Sequence, residues 1–377
     1  MFNAEPVPPP ASPDQRALRQ VDRAITDLRR GGLVLLRDGA AMLAVQAAEA
    51  VTPESLDRLK TLSGEALSLV LTRRRAAALG LAEPPSGKGG AVLLLLPADQ
   101  DAEALRDLAD PGAEAAGSAP PGAVIAAAGA AAAAVELVKL ARLLPAVVVA
   151  TVSPRAAPPL AEREGLMLLE AADVLAYQAV AAHSLRPVSE ARVPLSGAEN
   201  TRIIAFRPSD GGIEHLAILI GDPDPKAPVL VRLHSECFTG DLLASLRCDC
   251  GDQLRGAIAE IARVGSGALL YLAQEGRGIG LVNKLRAYEL QDAGLDTFDA
   301  NEQLGFDADE RVYLPAAEML RQLGFNRVRL LTNNPEKVAA LIRCGIEVVE
   351  RVPHIFPAND HNERYLRSKA ARSGHLL

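Results

Sequence analysis

Tryptophan is absent from this 377-residue chain, and the other aromatics amount to 5 tyrosines and 7 phenylalanines. Nor is there a basic surplus, since 40 Lys and Arg stand against 47 Asp and Glu for a net charge of −7. Binding nucleic acid as a polymer needs clustered positive charge and rings for stacking, so that class of function is not expected. A single nucleotide is another matter, because a few cations around one phosphate leave no mark on the total. Cysteine is scarce too, with 4 residues in no regular framework. A disulfide scaffold is therefore not expected, and a reducing, cytoplasmic setting is. Apolar runs such as VLLLLP and AVVVAT fall far short of the roughly 20 residues that a spanning helix needs. The start, MFNAEPVPPPASPD, has no basic-then-apolar leader. These absences predict a soluble protein with no membrane partner.

What is present divides near residue 184. The first part is rich in Ala and Leu and holds only Phe2 and Tyr177 among the aromatics, whereas the second holds all the others and every cysteine. Charge divides evenly, 17 basic against 21 acidic residues up to 184 and 23 against 26 beyond it. The length and this shift predict two domains, over 20–184 and 185–377, with a flexible proline-rich tail over 1–19 and RPVSEARVPLSGAEN as linker. Each domain reads as α/β (α+β), a mixed sheet with helices packed on it. In the first, PDQRALRQVDRAITDLRRGG is an amphipathic helix closed by Gly31 and Gly32, and TPESLDRLKTL opens with Thr52 as N-cap and Pro53 in the first turn. ALSLVLT and AVLLLLP read as buried strands, and GAVIAAAGAAAAA as low-complexity packing. In the second, strands HLAILIGD, PVLVRLHSE, ALLYLAQ and RVRLLTN alternate with helices DQLRGAIAEIARVG, LVNKLRAYELQDAG, AAEMLRQLG and PEKVAALIRCG.

Three of the cysteines fall together, Cys237, Cys248 and Cys250 in HSECFTGDLLASLRCDCGDQ. A C-x10-C-x-C triplet offers three thiolates where a structural zinc site takes four ligands, leaving one position open for water or substrate. That is the requirement of a hydrolytic metal site. Arg232, His234 and Glu236 alternate just before Cys237 and so share a strand face. EGRGIG, with Arg277, joins a strand to a helix bearing Lys284 and Arg286; a glycine-rich turn before a helix points N–H groups at an anion, although such turns are also common as simple punctuation. Asp309 and Arg311 flank Glu310, and Thr332 and Lys337 bracket LTNNPEK, a second loop that opens a helix. Beside a three-thiolate metal, these groups suggest an enzyme acting on a polyphosphate. Cys344, on a predicted helix, reads as a core thiol.

The stretches VRLHSECFTGDLLASLRCDCGDQL, YLAQEGRGIGLVNKLRAYELQD, DTFDANEQLGFDADERVY, LLTNNPEKV and the ending GHLL resemble the GTP cyclohydrolase II family, from about Pro194 to Leu377. The resemblance implies hydrolysis of GTP to 2,5-diamino-6-(5-phosphoribosylamino)pyrimidin-4(3H)-one, formate and pyrophosphate, the first step of riboflavin synthesis, in a homodimer. It implies one Zn²⁺ per subunit on Cys237, Cys248 and Cys250, Mg²⁺ accompanying the GTP phosphates, and catalytic roles for Asp309, Arg311 and Tyr288. In the family pattern Arg311 is the nucleophile toward the α-phosphorus and Asp309 its proton acceptor. GTP contacts carry over to Arg232, Leu233, His234, Ser235, Glu236, Gln253, Glu275, Gly276, Arg277, Thr297, Thr332 and Lys337. Ala273 departs from the pattern, standing where many members carry a basic residue.

The first part resembles 3,4-dihydroxy-2-butanone 4-phosphate synthase, through VDRAITDLRRGGLVLLRD, AAEAVTPESLDRL, LVLTRRRAAALGL and LAEREGLMLLEAADVLAY. That family holds Mg²⁺ with an acidic segment after its first strand, where this chain reads RDGAAMLAVQ. The family's G-H-T-E is here Gly129, Ala130, Ala131 and Ala132. Without those carboxylates and that histidine, the resemblance implies a scaffold whose own chemistry has lapsed. The alternatives are a bifunctional riboflavin enzyme and a nucleotide-binding paralogue with an altered reaction or a regulatory role.

Overall fold

The computed structural model describes residues 13–63, 66–81, 90–112 and 124–355. Two seven-stranded sheets account for its strands. The first contains β1 (Val34–Asp38), β2 (Ala41–Ala47), β3 (Ser68–Thr72), β4 (Ala91–Leu95), β5 (Val124–Ala127), β6 (Ala146–Thr151) and β7 (Met167–Glu170), in the order β5-β4-β3-β6-β2-β1-β7. Every neighbouring pair is antiparallel except β1 and β7. Among the described residues seven α-helices accompany it: α1 (Pro13–Arg29), α2 (Pro53–Ser63), α3 (Arg73–Ala78), α4 (Ala102–Ala109), α5 (Gly129–Leu140), α6 (Ala157–Glu164) and α7 (Ala171–His183). Apolar residues on both faces of the strands are buried, one face under α1, α5 and α7 and the other under α2, α4 and α6.

The second sheet contains β8 (Arg186–Arg192), β9 (Thr201–Arg207), β10 (His215–Ile220), β11 (Val229–Ser235), β12 (Gly267–Leu272), β13 (Arg327–Leu331) and β14 (Glu347–Val352), in the order β14-β13-β11-β12-β10-β9-β8. Here β14, β13, β11 and β12 run parallel and β10, β9 and β8 antiparallel. The helices are α8 (Cys250–Val264), α9 (Leu281–Asp292), α10 (Thr297–Gln303), α11 (Leu314–Gln322) and α12 (Pro335–Arg343). The mixed-sheet class read from the sequence is therefore observed in both parts. Thr52 Oγ1 accepts the Ser55 N–H at 3.2 Å, the expected cap of α2.

Two boundaries differ from expectation. Helix α1 begins at Pro13, as the helical reading of PDQRALRQVDRAITDLRRGG expected, so residues 13–19 belong to that helix and not to the tail drawn to 19, while 1–12 and the ending GHLL lie outside the described residues. The supposed linker RPVSEARVPLSGAEN begins as strand β8, paired antiparallel with β9. All seven residues of β8 are exposed. An edge strand with neither face buried has no apolar alternation to read, so its Pro, Ser and charges pass for a connector.

The two parts are not separate bodies. Ile279, Ala287, Ala300, Leu304 and Phe306 of the second belong to the same buried cluster as β3, α2 and α4 of the first. Polar contacts join them as well: Thr72 Oγ1 donates to the Gly305 carbonyl at 2.6 Å, and the buried Arg75 guanidinium donates to the carbonyls of Leu108 (2.9 Å) and Gln303 (3.0 Å). The segment from Glu275 to Arg311 thus lies between the two sheets.

Candidate active site and metal centre

Strands β11, β12 and β13 are parallel neighbours, so their carboxyl ends open on one side of the sheet, the position at which open α/β sheets hold ligands. Glu236 and Cys237 follow β11, EGRG follows β12, and Thr332 to Asn334 follow β13; all contribute to one cleft. A wide helical turn at Phe238–Leu242 folds back after Cys237, and α8 starts at Cys250, bringing the three cysteines together. Their sulfurs lie within 4.8 Å of one another, with Cys237 and Cys248 at 3.8 Å and all three thiols free. Among the described residues this is the one cluster of three or more metal-ligating side chains.

The donors fit a soft dication. Hydrogen bonds from the Cys248 and Cys250 thiols, with the Lys284 ammonium behind, hold the Cys237 thiol far below its usual value. Hydrogen bonding with Cys237 in turn pushes Cys248 up to about 11 and Cys250 well above the ordinary thiol range. Three thiols this close together resist ionising as a set, and a cation between them would relieve that repulsion. Gly240 leaves that room: a Cβ there would fall 2.7 Å from Cys248 Sγ and 3.1 Å from Cys237 Sγ.

Around the thiols the polar groups are held from behind. Lys284 Nζ donates to Cys237 Sγ (3.1 Å), Thr239 Oγ1 (2.9 Å) and Glu275 Oε1 (2.8 Å). The other oxygen of Glu275 accepts the Phe238 N–H at 2.6 Å, tying the EGRGIG turn to the cysteine turn. Asp241 accepts from the Cys237 N–H, the Tyr271 hydroxyl and the His234 ring, each at 3.0 Å. Burial lowers the His234 pKa despite Asp241 beside it. Tyr288 stands 3.5 Å from Thr239 Oγ1 with the Arg247 guanidinium 4.9 Å over its ring, and burial raises its phenol. Lys284 precedes Tyr288 by four positions on α9, the spacing that puts both on one helix face.

The rest of the lining is cationic. Arg232, buried in β11, donates to Gln253 Oε1 and to the Leu331 carbonyl at 2.9 Å, and burial lowers it to about 10. Arg311 stretches across the mouth, its Nε donating to Asp309 Oδ1 at 2.8 Å and its Nη1 to Ser235 Oγ at 3.5 Å. Burial alone would raise the Asp309 carboxyl, but the Arg311 guanidinium outweighs it and the net shift is downward. Lys337 Nζ donates to the Leu233 carbonyl at 2.8 Å, and Thr332 Oγ1 accepts the Asn334 N–H at 3.0 Å. The EGRGIG turn takes positive φ at Gly276, Arg277, Gly278 and Gly280. Only that run of left-handed residues reverses the chain so sharply; it places Arg277 Cζ 5.0 Å over the Phe298 ring. Arg232 Nε and His234 Nδ1 are buried on residues lining the cleft and have no partner among the described residues.

Of the residues singled out in the sequence, the three cysteines, Tyr288, Arg311, Arg232, His234, Ser235, Glu236, Gln253, Glu275, Gly276, Arg277, Thr297, Thr332 and Lys337 all line this cleft. Asp309 stands behind Arg311 rather than on the wall. Leu233 points its side chain into the opposite core, as strand alternation requires, and offers only its carbonyl. Arg286 is elsewhere, paired with Glu49 (3.3 Å) and Asp110 (3.4 Å) of the first part. Cys344 packs against the core, as expected. Sequence reasoning missed Asp241, Arg247, Asp249, Asn301, Asn334 and His354. His354 joins through its Nε2, 2.9 Å from the Gln253 carbonyl.

Three clustered thiols that could hold a metal share one cleft with fixed guanidinium and ammonium groups that suit a polyanionic ligand. The family model for GTP cyclohydrolase II matches residues 186–353. A GTP cyclohydrolase-2 of Azospirillum brasilense is 59% identical over 97% of this chain and 95% of its own length. One of Xylella fastidiosa is 40% identical over 94% and 87%, and a shorter one of Shigella boydii is 53% identical over 51% of this chain and 98% of its own. Among solved structures, a two-domain 3,4-dihydroxy-2-butanone 4-phosphate synthase from A. baumannii, 19% identical, aligns over 83% of this chain and 93% of its own with a TM-score of 0.38, too weak a likeness to bear on the site. The chain belongs to the GTP cyclohydrolase II family.

Proposed function

We propose that this chain hydrolyses GTP to formate, pyrophosphate and 2,5-diamino-6-(5-phosphoribosylamino)pyrimidin-4(3H)-one, with Zn²⁺ on Cys237, Cys248 and Cys250 and Mg²⁺ accompanying the triphosphate. The observation that carries this reading is the cleft itself, in which the thiol cluster and the Arg311 guanidinium, far apart in sequence, face one space at the ends of three parallel strands. Zn²⁺ held by Cys237, Cys248 and Cys250 would supply Lewis acidity and a water of lowered pKa, the chemistry that hydrolytic opening of the guanine ring requires.

The chain's own groups do the rest. Lys284, held by Glu275, balances thiolate charge at Cys237, and Tyr288 offers a hydroxyl beside Thr239 for proton transfer at the ring. Arg232, His234 and Gln253 form a buried polar wall that excludes water and orients the nucleotide. Arg311 presents its charge toward the α-phosphate while Asp309 fixes the plane of the guanidinium, leaving Nη1 toward Ser235. Arg277, Thr332 and Lys337 complete the phosphate end. Attack by Arg311 on phosphorus would require Asp309 to accept its proton, and their direct hydrogen bonds are compatible with that step.

The first part is a scaffold in this reading. RDGAAMLAVQ forms β1 and β2 with Asp38 as its only carboxylate, and no metal-ligating cluster stands there among the described residues. A homodimer in the cytoplasm belongs to the same proposal. Exposed Leu242, Leu243 and Leu246 beside the cleft (70, 61 and 58% exposed) support the assembly, and no described helix is long and apolar enough to cross a membrane. Zinc-loaded protein incubated with GTP should release formate, pyrophosphate and the pyrimidine in equal amounts. Absence of formate, or full activity in Cys248→Ser, overturns the reading.

A further inference from the structure

The C-terminal end of α5, in the part that carries no site of its own, reaches the two loops that build the phosphate end of the cleft. Arg142, just past the helix, takes a left-handed conformation (φ +58) that residues with a Cβ rarely adopt. Its Nη2 donates to the Ala273 carbonyl at 3.2 Å, and its own carbonyl accepts from the wholly buried Asn283 amide at 3.0 Å. Gly280 lies so close that a Cβ there would meet Arg142 Cδ at 2.9 Å. Ala273, Gly280 and Asn283 bracket the EGRGIG turn, so one arginine grips both ends of the segment that positions Glu275 and Arg277.

Lys139, in the last turn of α5, holds the other loop. Its Nζ lies 2.8 Å from Glu310 Oε2, with side chains only 15 and 17% exposed. Glu310 sits between Asp309 and Arg311, and its N–H donates to the Arg277 carbonyl at 3.1 Å. The loops are thus bonded to each other and, through Lys139 and Arg142, to one helix end. Burial works against the Lys139 ammonium, but the carboxylates of Glu310, Glu136 and Asp307 together outweigh it and the net shift is upward.

We propose that Lys139 and Arg142 are positioning residues for the phosphate end of the site, acting through Glu310 and through the ends of the EGRGIG turn. The first part thereby serves as the rigid backing of a catalytic loop in the second. This inference rests on the GTP-hydrolysing reading for its kinetic consequence, but its structural consequence is read independently.

The test uses the full chain as Lys139→Glu, Glu310→Lys and the double exchange, with Arg142→Ala beside them. Displacing a reacting group by about 1 Å costs on the order of a hundredfold, so each charge reversal should slow pyrophosphate release by at least about tenfold. Amide exchange should quicken over 306–312 in the Lys139 and Glu310 variants, and over 274–283 in Arg142→Ala, with metal content unchanged. The double exchange should return both rate and protection to within about threefold of the parent, as restored pairing predicts. Unchanged exchange in the single variants, or a double exchange no better than either single, overturns the inference. If the parent releases no formate but the exchange pattern appears, the functional reading fails and the positioning role stands.

Discussion

Gly240 is where the metal centre is most sensitive to a single methyl group. In Gly240→Ala the new Cβ would stand 2.7 Å from Cys248 Sγ, 2.9 Å from Cys250 Cβ and 3.1 Å from Cys237 Sγ. Comfortable carbon contacts lie near 3.5–4.0 Å, so something must give by about 1 Å. The backbone has little room to move, because Gly240 is buried and its N–H points at Cys237 Sγ at 3.4 Å. Metal–ligand distances tolerate roughly ±0.2 Å, and even disturbance of groups behind the ligands typically costs about 10–100-fold in affinity. We therefore expect zinc affinity to fall by at least about a hundredfold, about 2.7 kcal/mol. Equilibrium dialysis against a competing chelator, with zinc counted per chain, measures it. Urea unfolding of the metal-free variant separates overpacking, about 1–3 kcal/mol, from loss of metal. Zinc affinity within about threefold of the parent would refute both the placement of the metal between the thiols and the role of this glycine.

Two further outcomes follow from the same geometry. Arg311→Ala should cut pyrophosphate release by at least about a hundredfold, the usual cost of removing one charge-stabilising donor, while zinc content stays at the parent's level; undiminished release would remove Arg311 from the chemistry. Burial lowers His354 and His215 to about 4 from 6.5, so between those values the unfolded chain binds protons that the folded one refuses. Stability is then full above about pH 6.5 and falls toward pH 4, by up to about 3 kcal/mol for the well-buried His354. Urea midpoints at pH 7.5 and 5 should show this loss, and His354→Gln should shrink it; equal midpoints would contradict a neutral His354 in its buried place.

The cysteine triplet was legible because metal chemistry fixes residue type and leaves a short-range spacing, and the strands around it because β11, β12 and β13 are apolar runs bounded by turns. Contacts between distant segments were not legible. Arg286 looked like a site cation on the same helix as Lys284, yet its partners Glu49 and Asp110 come from the other part of the chain, while Lys284 turns to Cys237 and Glu275. Rotation about one helix separates those two fates, and the polar residues alone do not declare which face is buried. His354 was invisible for the same reason, since its partner Gln253 lies on a helix a hundred positions earlier. Leu233 was named through a contiguous motif, although alternation along β11 sends its side chain to the core.

Strand β8 closes the second sheet on its open flank, and its exposure has a consequence for how copies of the chain behave in a crowded solution. An unpaired strand border is a template for foreign strands and the usual starting point of aggregation. This border has Pro187, which lacks an N–H, an interrupted register at Pro187/Ser189, and the charged side chains of Arg186, Glu190 and Arg192, with Glu190 facing Arg202 at 3.7 Å. A segment that reads as a mere connector is a guard against unwanted strand addition.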